Sequence, residues 1–266
     1  YFIEEFYFLT SLLHFLNLTL LPIVVLTSCP SWFYISIRMR RHLITLGVTL
    51  SFLAVSLLTT SCSATIGGMV TDPSLAQSAS NWMCAIKQGW VFTVIQAYYN
   101  GSVNSFAPSA ISAAYDGGVQ NLDIYHVPSL SVDPFQQVFD TINTINATNF
   151  GMLWFRVAAS DREVSGWSDS ATNCNFLQSL INEGSSLGPS LGVWTSASDW
   201  AAVMGNCTVG MESGSSLWYG ANDAALNYND FTAFGGWHRP SIKQLSGTSE
   251  IAKNCGFNAL TGFYPQ

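Results

Sequence analysis

Hydrophobic side chains divide this chain into two regimes. Residues 1–60 are almost continuously apolar, interrupted by His14, Asn17, Pro22 and a small group of arginines. Beyond about residue 65, short apolar runs alternate with stretches whose apolar positions recur at helical spacing. Short apolar runs bounded by Gly, Ser, Asn or Asp read as strands. They fall at Trp90–Gln96, Leu122–Val127, Gly151–Val157, Ser190–Trp194, Ser215–Gly220 and Ser241–Leu245. Helical spacing predicts helices over about Ser80–Lys87, from Asp133-Pro134 onward, and over about Thr172–Leu187. Asp133 is a good N-cap and Pro134 suits the first helical position. Phe135, Val138, Phe139 and Ile142 then share one face, predicted to point inward, as do Phe176, Leu177, Leu180 and Ile181 in the next helix.

Strands alternating with helices imply a mainly parallel sheet with helices outside it. The sequence shows no internal repeat and no low-complexity linker, so residues 65–266 read as one domain. About seven strands in roughly 200 residues predict an α/β fold: a single irregular (β/α) barrel of the TIM type. Function in such barrels sits at the C-terminal ends of the strands. That directs attention to the residues just after Gln96, Val127, Val157, Trp194, Tyr219 and Leu245.

The apolar N-terminal part has its own logic. Met39 is the first methionine, and it opens a basic run, Met39-Arg40-Arg41-His42. An apolar stretch from Leu43 to Leu58 follows, then the small residues Thr59-Thr60-Ser61-Cys62-Ser63-Ala64. Positive, apolar and small-residue regions in that order make a secretory signal peptide. The expectation is a signal over 39–64, cleaved after Ala64, with residues 1–38 a hydrophobic leader or non-native upstream sequence. Setting aside residues 1–64 removes three arginines and two glutamates, so the net charge moves from −7 to −8. An acidic domain without a Lys/Arg cluster is a poor partner for nucleic acid or an anionic membrane. Neither is expected to bind the exported part, and the sequence assigns no oligomeric state.

Four cysteines follow the leader: Cys84, Cys174, Cys207 and Cys255. An even number in an exported chain suggests two disulfides, with three pairings open. The spacing does not suit zinc, because there is no CxxC and the histidines beyond the leader are His126 and His238 alone. No metal or cofactor is expected. Sequons at Asn100, Asn146 and Asn206 fit the same exported context.

Several runs of this domain resemble the nematode and amoeba branch of the family 25 glycoside hydrolases, which are lysozymes. They are Gly151-Met-Leu-Trp-Phe155, Gly192-Val-Trp-Thr-Ser-Ala-Ser-Asp-Trp200, Leu217-Trp-Tyr-Gly220, Asp230-Phe-Thr-Ala-Phe-Gly-Gly-Trp237 and Ile242-Lys-Gln244, with Asp123-Ile-Tyr125 and Phe263-Tyr-Pro265 in support. The resemblance covers residues 66–266 and implies a β/α barrel that cleaves the link between N-acetylmuramic acid and N-acetylglucosamine. It also implies an Asp-x-Glu pair after the Leu-Trp-Phe run, with the Glu as general acid, and further aspartates from the first and last strands. A protonated carboxylic acid frees the leaving oxygen, and a carboxylate offsets the developing cation.

At those positions the chain departs from the pattern. Arg156 stands where the resemblance implies Asp, Ala158 where it implies the general acid, and Leu260 where it implies an Asp of the last strand. Gln96-Ala97-Tyr98 replaces an Arg-Ala-Tyr run. The first-strand acid aligns with Val70 or, counted back from Cys84, with Asp72. Alanine carries no proton to give, and a guanidinium stays cationic. The reading is therefore a secreted lysozyme-like protein without muramidase activity that binds a glycan or bacterial cell-wall fragment. Candidate contacts are Tyr98, Asp123, Tyr125, Trp154, Trp194, Trp218, Tyr219 and Gln244, mostly aromatic faces near strand ends. Asp123 equally reads as a structural acceptor for a loop N–H, the six aromatics alternatively as core packing, and Arg156 as an ion-pair partner of Asp123 or Asp72. One rival is an active muramidase with relocated acids, Asp72 and Asp123, or Asp161 and Glu163 from the loop after Arg156. Another is a structural or interaction protein with a blocked groove.

Overall fold

The short apolar runs become the wall of a closed barrel in the computed structural model, which describes residues 65–146, 149–159, 166–221 and 223–264. The strands are β1 (Thr65–Val70), β2 (Trp90–Tyr99), β3 (Ser102–Val103), β4 (Asn121–His126), β5 (Met152–Arg156), β6 (Ser190–Thr195), β7 (Ser216–Gly220), β8 (Ile242–Thr248) and β9 (Ala259–Tyr264). The helices are α1 (Ala79–Lys87), α2 (Ala107–Asp116), α3 (Pro134–Ile145), α4 (Ser170–Leu187), α5 (Ala197–Val203), α6 (Val209–Glu212) and α7 (Glu250–Asn254).

Eight strands close the barrel. From β2 the order runs through β4, β5, β6, β7, β8 and β9 to β1, which pairs back onto β2 in parallel. All neighbours are parallel except β9, which runs antiparallel to both β8 and β1. The expected count of about seven thus becomes eight. The additional β3 folds back on β2 through Asn100-Gly101, whose φ values of 56° and 80° are those of a tight hairpin turn.

Successive side chains face opposite sides of each strand, which makes two cores. Inside the barrel lie Met69, Phe92, Val94, Tyr125, Val127, Trp154, Trp194, Trp218 and Ile242. Between barrel and helices lies a larger layer that includes Ile95, Ile124, Leu153, Phe155, Val193, Leu217, Leu177, Leu180 and Ile181. The interior is solidly aromatic. Trp154 and Trp218 meet edge to face with centroids 5.7 Å apart, and Trp194 lies 6.0 Å from Trp218. Gly192 makes this packing possible, because a Cβ there would come within 2.2 Å of Trp154.

Helix entry follows the sequence signals. Asp133 caps α3 by accepting from Gln136 N, and Asp169 caps α4 by accepting from Ala171 N and Thr172 N. Gly188, at φ 103°, ends α4. One predicted face needs correction. Val138 and Ile142 are buried, but Phe135 and Phe139 are 48% and 46% exposed. The apolar stripe of α3 is wider than the surface it meets, so only its inner edge is covered. Phe176 is likewise only partly buried.

Two disulfides settle the pairing left open by the sequence: Cys84–Cys255 and Cys174–Cys207. The first ties α1 to the residue after α7, and the second ties α4 to the segment after α5. Residues 1–64, read from the sequence as leader and signal peptide, lie outside the described residues.

Candidate functional site

The C-terminal ends of the parallel strands form the mouth of the barrel, and β5 carries the decisive residues there. Met152, Trp154 and Arg156 face inward, whereas Leu153, Phe155 and Val157 face the helices. Arg156 pairs in register with Trp194 of β6, and its guanidinium carbon sits 3.9 Å from the centroid of that indole. Ala158, two residues on, is buried. Trp167 Nε1 donates to its carbonyl at 2.9 Å. Asp199 Oδ1 accepts from Ala159 N at 2.9 Å, and its other oxygen accepts from Ser196 Oγ at 2.6 Å. The position from which a general acid would project therefore presents a methyl group, with the Trp167 indole bonded beside it. Asp161, Arg162 and Glu163 lie outside the described residues.

The opposite side of the mouth is also apolar. Met69 of β1 faces the interior and pairs in register with Leu260 of β9. Val70 faces the outer layer. Met69, which sequence comparison passed over, is therefore the inward residue at the end of the first strand. Asp72 lies two residues past β1 and caps the turn Pro73–Leu75, accepting from Ser74 N at 3.0 Å and from the Ser74 hydroxyl.

Asp123 sits far from this mouth. It is the third residue of β4, and its oxygens accept from Met152 N at 2.8 Å and from Trp154 Nε1 at 2.9 Å. Burial pushes its pKa up, and the two hydrogen bonds only partly counter that. Met152 begins β5 and Arg156 ends it, a span of roughly 13 Å at the usual strand rise. Asp123 and Arg156 thus occupy opposite ends of the same strand pair and form no ion pair. Nor does Arg156 pair with Asp72, whose Oδ1 serves its own turn.

The remaining candidates separate by the side of the barrel wall they face. Tyr125, Trp154 and Trp218 face the interior and are fully buried, while Trp194 keeps 7% of its surface exposed. Gln96 also faces inward. Its amide donates to Tyr125 Oη at 2.9 Å and accepts from Asn104 Nδ2 at 3.1 Å, so it orders the base of the mouth. Gln244 shares the inward face of β8 with Ile242, and its Oε1 is buried with no donor among the described residues. Trp218 Nε1 is a buried donor in the same condition.

Two candidates leave the barrel interior altogether. Tyr98 is buried and stacks on His126, with centroids 4.2 Å apart and planes 5° from parallel. His126 bonds Gln137 Oε1 at 3.0 Å and Thr141 Oγ1 at 3.1 Å. Burial depresses its pKa to about 4, against the hydrogen bond to Gln137, so the ring is neutral. Since Gln137 Oε1 only accepts, the proton resides on Nε2. Tyr219 faces the β7–β8 connection and donates to Asp230 at 2.8 Å. Lys243, fully buried, joins Asp230 at 2.6 Å and Asp223 at 2.7 Å. Burial opposes the charge on Lys243, but the two carboxylates outweigh it and raise its pKa. This cluster pins the connection to the outside of the barrel.

Sequence reasoning missed three residues of the half-buried rim as site residues: Tyr99, Leu130 and Trp167, which with Leu260 pack against the interior cluster while remaining partly exposed. Trp167 carried no periodic signal, because it lies in an irregular stretch between β5 and α4. Tyr99 was readable as the neighbour of Tyr98, one residue further along the strand.

Comparisons with known proteins agree with this architecture. The family described as lysozyme-like protein 1 matches residues 64–245. A probable GH family 25 lysozyme 4 of Dictyostelium discoideum is 34% identical over 199 residues, spanning 73% of this chain and 89% of that relative. Lysozyme-like protein 5 of Caenorhabditis elegans is 26% identical over 221 residues, spanning 80% and 98%. Among solved structures, a muramidase from Trichobolus zukalii superposes with a TM-score of 0.62 at 14% identity, over 76% of this chain and 94% of that one. With its closed β/α barrel and this extent of sequence identity, the chain belongs to the GH family 25 lysozyme family, in its lysozyme-like group.

Proposed function

We propose that this is an exported lysozyme-fold protein that binds a glycan, such as a bacterial cell-wall fragment, without hydrolysing it. The observation that carries the reading is the end of β5, where Arg156 and the buried Ala158 stand in place of two carboxyl groups. Hydrolysis needs a proton donor and a carboxylate roughly 5–10 Å apart across one sugar linkage. Asp72 is engaged in a turn, Asp123 lies at the far end of the barrel, and Asp199 holds Ala159 N and Ser196 Oγ. A guanidinium at the mouth also opposes the cation that develops on the sugar.

Binding has its own support. The rim residues Tyr99, Trp167 and Leu260 offer apolar surface at the mouth, suited to the C–H face of a sugar ring. The leader and the two disulfides support export.

The test pairs two assays on purified protein. Retention on insoluble peptidoglycan with no clearing of bacterial walls is the expected result. Clearing at a rate comparable to an active family member would refute the inactive reading. Failure to be retained on either peptidoglycan or chitin would favour the blocked groove, consistent with the complete burial of Tyr125, Trp154 and Trp218.

A further inference from the structure

The exposed stripe of α3 has a natural covering close by. Phe139, Ile142, Asn143 and Asn146 follow the i, i+3, i+4, i+7 spacing of one helix face. Together with Leu187 at the end of α4 they line a groove of about 360 Å³. That is the lower end of the roughly 300–1,000 Å³ typical of small-molecule sites. Phe139 leaves 46% of its surface exposed there, although the sequence pattern marks it as core. Asn146 closes the stripe as the exposed C-terminal cap of α3, at φ 70°. It is also the first residue of the sequon Asn146-Ala147-Thr148.

From this juxtaposition we propose that Asn146 carries an N-linked glycan whose first two N-acetylglucosamine rings lie along the α3–α4 groove and cover Phe139. The chemistry matches. An N-acetylglucosamine ring has an apolar C–H face suited to an aromatic side chain, and polar edges suited to Asn143 and water. The reach also matches, since Asn146 and Phe139 are two helical turns apart, roughly 10 Å along the axis. A glycan tethered at Asn146 pays no further translational entropy to occupy the groove, as a free sugar would. The inference rests on export, because this modification is made in the secretory pathway, and it is independent of whether the barrel mouth binds or cleaves glycans.

The full chain, secreted from a eukaryotic host, tests it. Glycopeptide mass spectrometry should find Asn146 occupied. Removing the glycan by T148A, or by N146Q as a second route, should lower Tm by about 2–4 °C, the shift expected for one lost aromatic contact in a domain of this size. The same removal in an F139S background should leave Tm unchanged. An unmodified Asn146 beside modified Asn100 or Asn206 would overturn this inference and leave export standing. No modification at any of the three sequons would overturn it as well, whereas failure of the chain to reach the medium would overturn export. An equal Tm loss with and without Phe139 would overturn the groove contact.

Discussion

The Arg156 guanidinium lies over the Trp194 indole, 3.9 Å from the ring centroid, because β5 and β6 pair these two residues in register at the barrel mouth. The pair does two things at once. It caps the aromatic interior, and it fixes a positive charge at the point where the family pattern implies a negative one. A cation over an indole contributes about 0.5–2 kcal/mol, depending on desolvation. A double-mutant cycle with R156A and W194L should therefore return a coupling in that range by urea unfolding, with Arg156's other interactions cancelling out. Additive single effects would show that the stack contributes nothing.

Restoring the acids tests the chemistry directly. A Glu placed at 158 would enter a buried site with Trp167 bonded to its carbonyl and Asp199 bonded to the next amide. Burial and the Asp199 charge both raise a carboxyl pKa, which suits a proton donor. Arg156 would pull it back down. We expect no turnover from A158E or R156D alone. The double variant should hydrolyse peptidoglycan on the order of 100-fold above background, the low end of general-acid contributions. Turnover in A158E alone would show that Arg156 does not oppose the reaction.

Legibility in the sequence followed the range of the interactions. Strands β2 and β4–β8 appear where their apolar runs predict them, and Asp133-Pro134 places the start of α3, because those signals are local. Strand β9 and the inward turn of Met69 were not readable locally. Both depend on the register Met69–Leu260, set by residues nearly 200 positions apart. Strand geometry decided the site residues. Tyr98 and Tyr219 look like groove aromatics, but the register shift between Gln96 and Tyr98 turns Tyr98 towards His126, and alternation sends Tyr219 towards Asp230. Asn100-Gly101 carried a plain hairpin signal, hidden because the same residues open a sequon. The buried Lys243 was read only as part of a family motif, since its two carboxylate partners come from a loop without periodicity.

The two disulfides should differ in what they stabilise. Cys84 and Cys255 are 171 residues apart, Cys174 and Cys207 only 33. The chain-entropy model gives about 5 kcal/mol for the longer loop and about 4 for the shorter. Replacing Cys84 and Cys255 by Ala should therefore lower stability by about 1.5 kcal/mol more than replacing Cys174 and Cys207. Denaturant unfolding of the two double variants checks this. A larger loss from the short loop would show that native contacts around Cys174–Cys207, rather than unfolded-chain entropy, set the order.

His126 gives the domain a specific response to acid. Its ring is fully buried between Tyr98 and α3, and burial holds its pKa at about 4 rather than the ordinary 6.5. Above pH 6.5 both folded and unfolded chains keep the ring neutral, and stability is unaffected. Between pH 6.5 and about 4 the unfolded chain binds a proton that the folded one excludes, so stability falls as pH falls. The slope approaches 1.4 kcal/mol per pH unit, and the total is about 3 kcal/mol by pH 4. Below that both states are protonated and this contribution levels off. Urea midpoints measured from pH 7 to 4.5 should therefore decline, before most carboxylates titrate. H126F keeps an aromatic ring against Tyr98 but loses the hydrogen bonds to Gln137 Oε1 and Thr141 Oγ1, with Ser129 N left as donor to Gln137 Oε1, so it should be less stable at pH 7 and nearly flat from pH 7 to 5. Equal midpoints for the wild type at pH 7 and 4.5 would mean that the ring is protonated in the folded chain, and with it the Gln137–His126–Thr141 arrangement would have to differ from the one described.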